Sequence, residues 1–268
     1  MRAGKGAHRV AVLQHRQVAP DHWELVLERT GPLREAQPGQ FVNLSVRRPE
    51  AYDPLLRRPF SFFRESEAGI SLLYRVVGRG TRRMAELQEG DVVDLVGPLG
   101  SGFAYRDLDG PALLVGGGTG VPPIFHLSQR LVGAGMEHEV LVGFSTAAYA
   151  LGLEEWRELG VEVRVATDDG SLGAPGFVTL LLEERLRRGP VRRIYACGPR
   201  PMLRAVARLA STYGVPSQVA MEEWMGCGLG VCLSCVCKVK AAGGQARWAR
   251  VCREGPVFSG DEVVWSDA

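Results

Sequence analysis

The cysteines constrain this chain more than any other residue type. None occurs in the first 196 positions, Cys197 stands alone, and the other five crowd between 227 and 252. A small secreted domain held by disulfides spreads its cysteines through its length. One tight cluster near the end of a 268-residue chain points to a metal centre instead.

The run reads Met225-Gly226-Cys227-Gly228-Leu229-Gly230-Val231-Cys232-Leu233-Ser234-Cys235-Val236-Cys237, and Cys252 follows Cys235 after sixteen intervening residues. The spacing C-x4-C-x2-C…C opens like a plant-type 2Fe–2S site. It makes Cys227, Cys232, Cys235 and Cys252 the candidate ligands. A cluster carries sulfide charge that needs backbone N–H donors close by. Gly226, Gly228 and Gly230 let the chain wrap tightly enough to aim them inward. Two other readings stand beside this one. Structural zinc usually brings two short C-x2–4-C knuckles, and Cys252 lacks a near partner; inert buried thiols need no metal at all. Cys237, two residues past Cys235 on an apparent strand, is the alternative third ligand.

The rest of the composition is that of an ordinary globular protein, with 46% hydrophobic and 23% charged residues. A net charge of +2 demands neither nucleic acid nor an anionic membrane as partner. No apolar run approaches the length of a membrane span. The segment from Met1 to His8 is basic but has no apolar stretch, so it reads as a frayed start rather than a signal peptide, and a cytoplasmic location is expected. Three lysines stand against 29 arginines, and Asn43 is the sole asparagine. A heat-adapted source or a GC-rich genome accounts equally for that skew.

Three textures follow one another. Residues 8–106 carry short alternating runs, Val10–Leu13, Trp23–Leu27, Phe41–Val46, Arg57–Phe62, Ile70–Val76 and Val92–Val96, punctuated by Gly and Pro. That spacing predicts a small antiparallel barrel with one helical turn near Thr81–Leu87. From Asp107 strands and helices alternate: a buried strand at Ala112–Val115, a helix at Pro123–Ala134, and further pairs ending with Ile194–Cys197 and Arg200–Tyr213. This is the pattern of a parallel α/β sheet. The last 55 or so residues break the alternation, with Gly-rich loops and short strands at Ala246–Val251 and Glu262–Trp265. The expected organisation is a barrel over 1–106, an α/β domain over 107–213 and a small cysteine module over 214–268.

Two further motifs carry chemistry. Arg57-Arg58-Pro59-Phe60-Ser61-Phe62 and Tyr74-Arg75-Val76-Val77-Gly78-Arg79-Gly80-Thr81 lie in the barrel. Arg58 and Arg75 can neutralise a pyrophosphate, Ser61 can hydrogen-bond a flavin ring atom, and Pro59 fixes the strand path. Gly78 and Gly80 let backbone N–H groups approach phosphate ahead of a helix. A basic dipeptide before proline is also an ordinary solvated loop. In the α/β domain, Val115-Gly116-Gly117-Gly118-Thr119-Gly120-Val121-Pro122-Pro123 follows a strand and opens a helix. Its glycines let the backbone touch a dinucleotide pyrophosphate, and Pro123 suits a first helical turn; a plain tight turn is the other reading. Cys197 lies either near a reacting cofactor or simply in a small buried place. Thr167-Asp168-Asp169-Gly170-Ser171 ends the third strand of the domain, and acids there would disfavour a 2′-phosphate, favouring NAD over NADP; ordinary solvated loop acids are the other reading.

Together these motifs resemble the ferredoxin–NADP reductase superfamily. Its R-x-[YF]-[ST] flavin motif is matched by Arg58, Phe60 and Ser61, its G-x-G-x-G-x-x-P turn by Gly116, Gly118, Gly120 and Pro123, and its C-G-P-x-x-M turn by Cys197, Gly198, Pro199 and Met202. With the cluster module at the C-terminal end, the chain from Arg9 to about Trp265 resembles more narrowly the electron-transfer subunits of NAD-dependent, heteromeric dihydroorotate dehydrogenases. The residues that carry this are Arg58-Pro59-Phe60-Ser61, Leu73-Tyr74-Arg75, Gly80-Thr81, Gly116–Pro123, Met225–Gly228 and the remaining three cysteines. Phe60 replaces a frequent Ile or Leu, and Gly226 a frequent Ala; neither change removes a ligand.

The resemblance implies FAD between a six-stranded antiparallel barrel and a nicotinamide domain, with a 2Fe–2S cluster and NAD as the other cofactors. It also implies a separate FMN-bearing catalytic subunit as partner, two of each chain, in pyrimidine biosynthesis. No orotate site is apparent, which fits a subunit lacking that half of the reaction. The near alternative is the small subunit of a ferredoxin-linked NAD(P) oxidoreductase or sulfide dehydrogenase, whose chains tend to carry Asp where Cys227 stands. The distant one is a non-redox zinc-binding adaptor. The exposed side of the cluster loop around Leu229 and Leu233 is the expected docking face, with buried packing as the other reading.

Overall fold

A computed structural model describes residues 6–47, 51–241 and 243–265. Of the expected frayed start over Met1–His8, residues 1–5 lie outside the described residues, whereas Gly6–His8 are already strand, because they pair with Gly97, Val96 and Leu95.

The first part contains β1 (Gly6–Ala19), β2 (His22–Glu28), β3 (Phe41–Leu44), β4 (Arg58–Glu65), β5 (Gly69–Arg75), the short helix α1 (Arg79–Met84) and β6 (Val92–Leu99). The strands close into an antiparallel barrel in the order β1-β2-β5-β4-β3-β6. Alternation dictates what fills it: Val10, Val12, Leu25, Leu27, Leu44, Phe62, Leu72 and Leu95 form one interior cluster. β1 runs well past the expected Leu13. Its second half is polar, yet each of several polar groups finds a cross-strand partner. The Arg16 guanidinium donates to the buried Glu24 carboxylate at 2.7 Å, and His15 meets the Tyr74 hydroxyl at 2.9 Å. α1 starts two residues before the expected Thr81, because the Thr81 Oγ1 accepts the N–H groups of Val77 and Gly78 at 2.9 and 3.2 Å and closes the turn ahead of it.

The second part runs β7 (Ala112–Gly117), α2 (Val121–Gly133), β8 (His138–Phe144), α3 (Leu153–Glu158), β9 (Val163–Thr167), β10 (Ala174–Pro175), α4 (Val178–Arg188), β11 (Arg193–Cys197), α5 (Arg200–Thr212) and β12 (Ser217–Ala220). The hairpin β13 (Val236–Lys240) with β14 (Ala246–Arg250), then β15 (Val257–Ser259), complete the described chain. The large sheet has the order β10-β9-β8-β7-β11-β12-β15, parallel throughout except for β15. It therefore takes a strand from 217–220, beyond the expected boundary at 213, and another from inside the expected cysteine module. Residues 262–265 were expected as a strand. Here only Val263 makes a bridge, to Val239, because the turn at Ser259–Glu262 lets the segment touch β13 at isolated points.

α2 is buried on nearly every side from Val121 to Ser128, since it packs both on the sheet and against β4. Its far end is fastened to the barrel. The Gln129 amide exchanges two hydrogen bonds with the Glu65 backbone, at 2.7 and 3.0 Å. The Glu65 carboxylate pairs with Arg130 and Arg29, each at 2.7 Å. β4 begins with the Arg58–Ser61 motif and α2 follows the Gly116–Gly120 turn, so this latch sets the relation between the two motifs.

Candidate redox site

β3 and β4 bring the barrel motif together. Register pairs Leu44 with Arg58, Asn43 with Pro59, Val42 with Phe60 and Phe41 with Ser61. The Arg58 guanidinium donates to the Leu56 carbonyl at 2.7 Å and lies against Gly80, where a methyl group would stand 3.2 Å from the Arg58 Nε. The two halves of the expected flavin motif thus meet at Arg58 and Gly80. The loop N–H of Gly78 is not left open as expected, since the Thr81 Oγ1 accepts it at 3.2 Å. Arg75 reaches out of the barrel and places its guanidinium over the Tyr149 ring, 5.4 Å from the centroid. Leu73 packs on the side facing the α/β domain, among residues such as Phe103 and Val121.

Tyr74 is held from behind. The His15 Nδ1 lies 2.8 Å from the Leu87 carbonyl, which can only accept, so Nδ1 carries the hydrogen and Nε2 is bare. The Tyr74 hydroxyl therefore donates to Nε2. Burial pushes the phenol pKa well up and keeps it protonated. Phe60 meets the Tyr74 ring edge-on at 5.7 Å.

The order in which strands join the large sheet reverses between β7 and β11, which lie side by side and parallel. At such a switch point the loops leave in opposite directions and open a crevice at the carboxyl ends of the strands. Both nicotinamide motifs lie there. A methyl group on Gly120 would stand 2.3 Å from the Cys197 carbonyl oxygen, so the two loops pack backbone to backbone. Gly118, by contrast, has φ of +50° with open space where a Cβ would point. The backbone there is shaped as an open cradle, ahead of a 13-residue helix with Pro122 and Pro123 in its first turn. Cys197 is half-buried beside Gly198 and Pro199, and burial, reinforced by the Glu222 carboxylate, pushes its thiol up to about 12. It is a neutral thiol lining the crevice, not a thiolate. Asp169 faces solvent and accepts the Ser171 N–H and hydroxyl.

The cysteine loop brings four thiols into two pairs. The Cys227 Sγ accepts the N–H groups of Leu229, Val231 and Cys232 at 3.3, 3.4 and 3.5 Å, and the Cys227 N–H returns to the Cys232 Sγ at 3.4 Å. The Cys252 N–H points at the Cys235 Sγ, 3.5 Å away. One pair is exposed at Cys232, and the other is buried in the core. The Ser234 hydroxyl sits 3.3 Å from the Cys232 Sγ and, ahead of the N–H donors, draws that thiol down to about 6. Partial burial works against the Cys227 thiolate, but the N–H groups of Cys232, Leu229 and Val231 outweigh it and leave its pKa lowered. Cys252 is pushed up to about 12 by burial and by Cys235 beside it.

Among the described residues, no group of three or more Cys, His, Asp or Glu gathers where it could hold a single metal ion. Two thiol pairs suit two irons, each taking two cysteines, better than one tetrahedral zinc. Cys237 is buried on β13 opposite Ala249, and burial first, then Glu223, push its thiol up to about 11.

Sequence reasoning passed over Asn43 as a contact and Ser234 as a neighbour of the ligands. Asn43 donates from Nδ2 to the Cys227 carbonyl at 3.0 Å, tying the barrel to the cluster loop. Its one signal was being the sole asparagine. Ser234 stood in plain view between two ligands.

A barrel with an arginine-lined motif, a switch-point crevice shaped for a dinucleotide and a paired-thiol loop define a flavin- and NAD-linked iron–sulfur oxidoreductase of the ferredoxin-reductase fold. Comparisons with known proteins agree. Residues 222–264 match the iron–sulfur cluster binding domain of dihydroorotate dehydrogenase B, and residues 114–208 match the oxidoreductase NAD-binding domain. The chain is 42% identical to the dihydroorotate dehydrogenase B (NAD(+)) electron transfer subunit of Geobacillus kaustophilus, over 97% of this chain and 99% of that one. The Bacillus caldolyticus subunit matches at the same identity and coverage. A solved NADH-dependent reduced ferredoxin–NADP oxidoreductase is 29% identical and superposes with a TM-score of 0.82, covering 96% of this chain and 90% of that one. The chain belongs to the family of electron transfer subunits of dihydroorotate dehydrogenase B.

Proposed function

We propose that this chain carries electrons from an FMN-bearing catalytic subunit, through a 2Fe–2S cluster and FAD, to NAD⁺, in the oxidation of dihydroorotate. The observation that carries the reading is the pairing of the thiols. One pair is buried against the body of the protein and the other is exposed at its surface, as a one-electron relay between an internal and an external site requires. The ferredoxin-linked alternative shares the shape, but Cys227 stands where those chains tend to have Asp, and the higher identity lies with the dihydroorotate dehydrogenase subunits.

The residues divide the work. Cys227, Cys232, Cys235 and Cys252 hold the cluster, and Ser234 and the loop N–H groups neutralise its charge. Arg58 and the Gly80–Thr81 turn take the flavin pyrophosphate, Ser61 a ring atom, while Pro59, Phe60, Leu73, Tyr74 and Arg75 shape the pocket between barrel and α/β domain. Gly116, Gly118, Gly120 and Pro123 cradle the NAD pyrophosphate, and Cys197, Gly198 and Pro199 line the nicotinamide end. When bound, FAD supplies the exchange between two-electron hydride chemistry and one-electron transfer. The protonated Cys197 thiol adds no negative charge of its own at that end.

The partner docks on the exposed side of the cluster loop. Leu229 and Leu233 are exposed there as expected, and Val231, Trp224 and Trp248 extend the apolar surface around Cys232. The assembly is two of each chain, in the cytoplasm. Among the described residues no helix is long and apolar enough to cross a membrane.

The test is reconstitution. The purified chain should be coloured by flavin and iron–sulfur, should co-purify with an FMN protein, and should with it reduce NAD⁺ in the presence of dihydroorotate. A colourless, zinc-containing product would sink the redox reading; activity with ferredoxin but none with dihydroorotate would move the chain to the alternative.

A further inference from the structure

Asn43 lies between two cofactor motifs and belongs to neither. On β3 it sits opposite Pro59 of β4, and Phe41 sits opposite Ser61. Alternation places Asn43 and Phe41 on the same sheet face as Pro59 and Ser61. Val42 and Leu44 pack inside the barrel, whereas Phe41 joins the core that contains Cys235 and Cys252. The face bearing Asn43 therefore looks out of the barrel toward the cluster loop. Its side chain is buried, at 1% exposure.

The cluster loop grips one end of this amide. Nδ2 donates to the Cys227 carbonyl at 3.0 Å. Gly228, at φ of +68°, presses on the same group so closely that a methyl there would stand 2.5 Å from Nδ2. The other end is different: Oδ1 is buried and has no hydrogen-bond partner among the described residues. A buried carbonyl oxygen left without a donor is costly and uncommon. On the face of the flavin strand, it marks a place where a bound molecule brings the donor.

We infer that Asn43 is a positioning residue that couples the two cofactor sites. Nδ2 holds the backbone of the first cluster ligand, and Oδ1 accepts a hydrogen bond from the flavin, from a ring N–H or a ribityl O–H. A primary amide suits this because it presents a donor and an acceptor on one rigid plane; Asp lacks the donor and Leu lacks both. Flavin binding then orders the amide, the amide orders the Cys227 segment, and each site feels the occupancy of the other. The inference rests on the reading of the barrel as a flavin site and of the cysteine loop as a 2Fe–2S site.

The experiment uses full-length wild type, Asn43→Leu and Asn43→Ser. The dissociation constant for FAD is measured by titrating flavin-depleted protein, and the EPR spectrum of the reduced cluster is recorded with and without FAD. Wild type that binds no FAD, or gives no 2Fe–2S signal, overturns the underlying reading itself. Given both, the wild-type cluster spectrum should shift when FAD is removed. Asn43→Leu should raise the FAD dissociation constant about tenfold, as loss of one buried hydrogen bond does, and should abolish the FAD-dependent shift. Asn43→Ser, too short to span both contacts, should do the same and decides the matter if the leucine variant does not fold. Absence of the shift in wild type, or unchanged affinity or a retained shift in a folded variant, overturns the coupling.

Discussion

Gly120 lies so close to Cys197 that a methyl group on the glycine would stand 2.3 Å from the cysteine's carbonyl oxygen. The contact joins the two loops that leave the switch point of the sheet, and it is backbone against backbone, so no side-chain rotation relieves it. Gly120→Ala should force the loops apart. We expect a loss of about 1–3 kcal/mol in stability, the range for overpacking a filled site, and a large fall in NADH oxidation with an artificial acceptor. Chemical unfolding and steady-state kinetics check both; an alanine variant with normal NADH kinetics would remove the crevice from the nicotinamide reading.

The pairing of thiols separates Cys232 from Cys237, which lie five residues apart. Cys232→Ser should bleach the iron–sulfur absorption and abolish electron delivery to the partner while leaving FAD bound. Cys237→Ser should keep the iron content, because Cys237 is buried on β13 opposite Ala249 and the Cys252 N–H turns to the Cys235 Sγ. Iron analysis and a visible spectrum of the two variants distinguish them.

Arg58 combines a charge with a fixed position against Gly80. Removing it in Arg58→Ala should weaken FAD binding by a factor on the order of 10–100, since hydrogen bonds to charged groups contribute roughly 1.5–3 kcal/mol each. Equilibrium dialysis against FAD measures it. Arg58→Lys should rescue only part of the loss, because an ammonium cannot reproduce the planar donor set.

The Glu65 latch predicts an acid limb in stability. Burial alone would raise the Glu65 pKa; the His126 ring, Arg130 and Arg29 outweigh it and leave the carboxyl below its ordinary 4.5. A depressed carboxyl stabilises the folded state above the unfolded pKa and loses that contribution as pH falls through the folded value. His126, fully buried, is also lowered from 6.5, chiefly by burial. Only the unfolded chain binds its proton just below 6.5, so stability begins to fall there. Denaturant unfolding at pH 7.5, 5.5 and 4 should show both steps, on the order of 1 kcal/mol for each pH unit in which one proton is taken up differently. Glu65→Gln should flatten the lower one and destabilise the protein at neutral pH, because Arg29 and Arg130 lose their partner.

Leu233 projects from the cluster loop at 60% exposure, beside Cys232. Leu233→Asp should leave the visible spectrum unchanged and weaken association with the catalytic subunit by a factor on the order of 10–100, as loss of a central apolar contact does. Size-exclusion chromatography of the mixed subunits reads the outcome.

Short-range features of the chain were legible in its sequence. Cysteine spacing marked the candidate cluster ligands, because a thiolate cage built largely within one loop is a local arrangement. Alternation marked the barrel strands and glycine placement marked the candidate dinucleotide turn, since both express backbone geometry at short range. What sequence missed lay at contacts between distant segments. The polar second half of β1 became a strand only because Glu24 and Tyr74 stood across from it. Residues 217–220 joined the large sheet because β11 offered them an open edge.

Residue by residue, the sequence alone determined which chemistry this chain can do: its thiols, its arginine and its glycine turns are set by type and spacing. Only the tertiary structure decided how those pieces face one another. Cys235 rather than Cys237 meets Cys252, Gly120 meets Cys197, and Asn43 reaches Cys227 across 184 positions of chain. The reason is physical: periodicity reports whether a residue is buried, but a partner far along the chain is chosen only when the barrel closes and the sheet packs beside it.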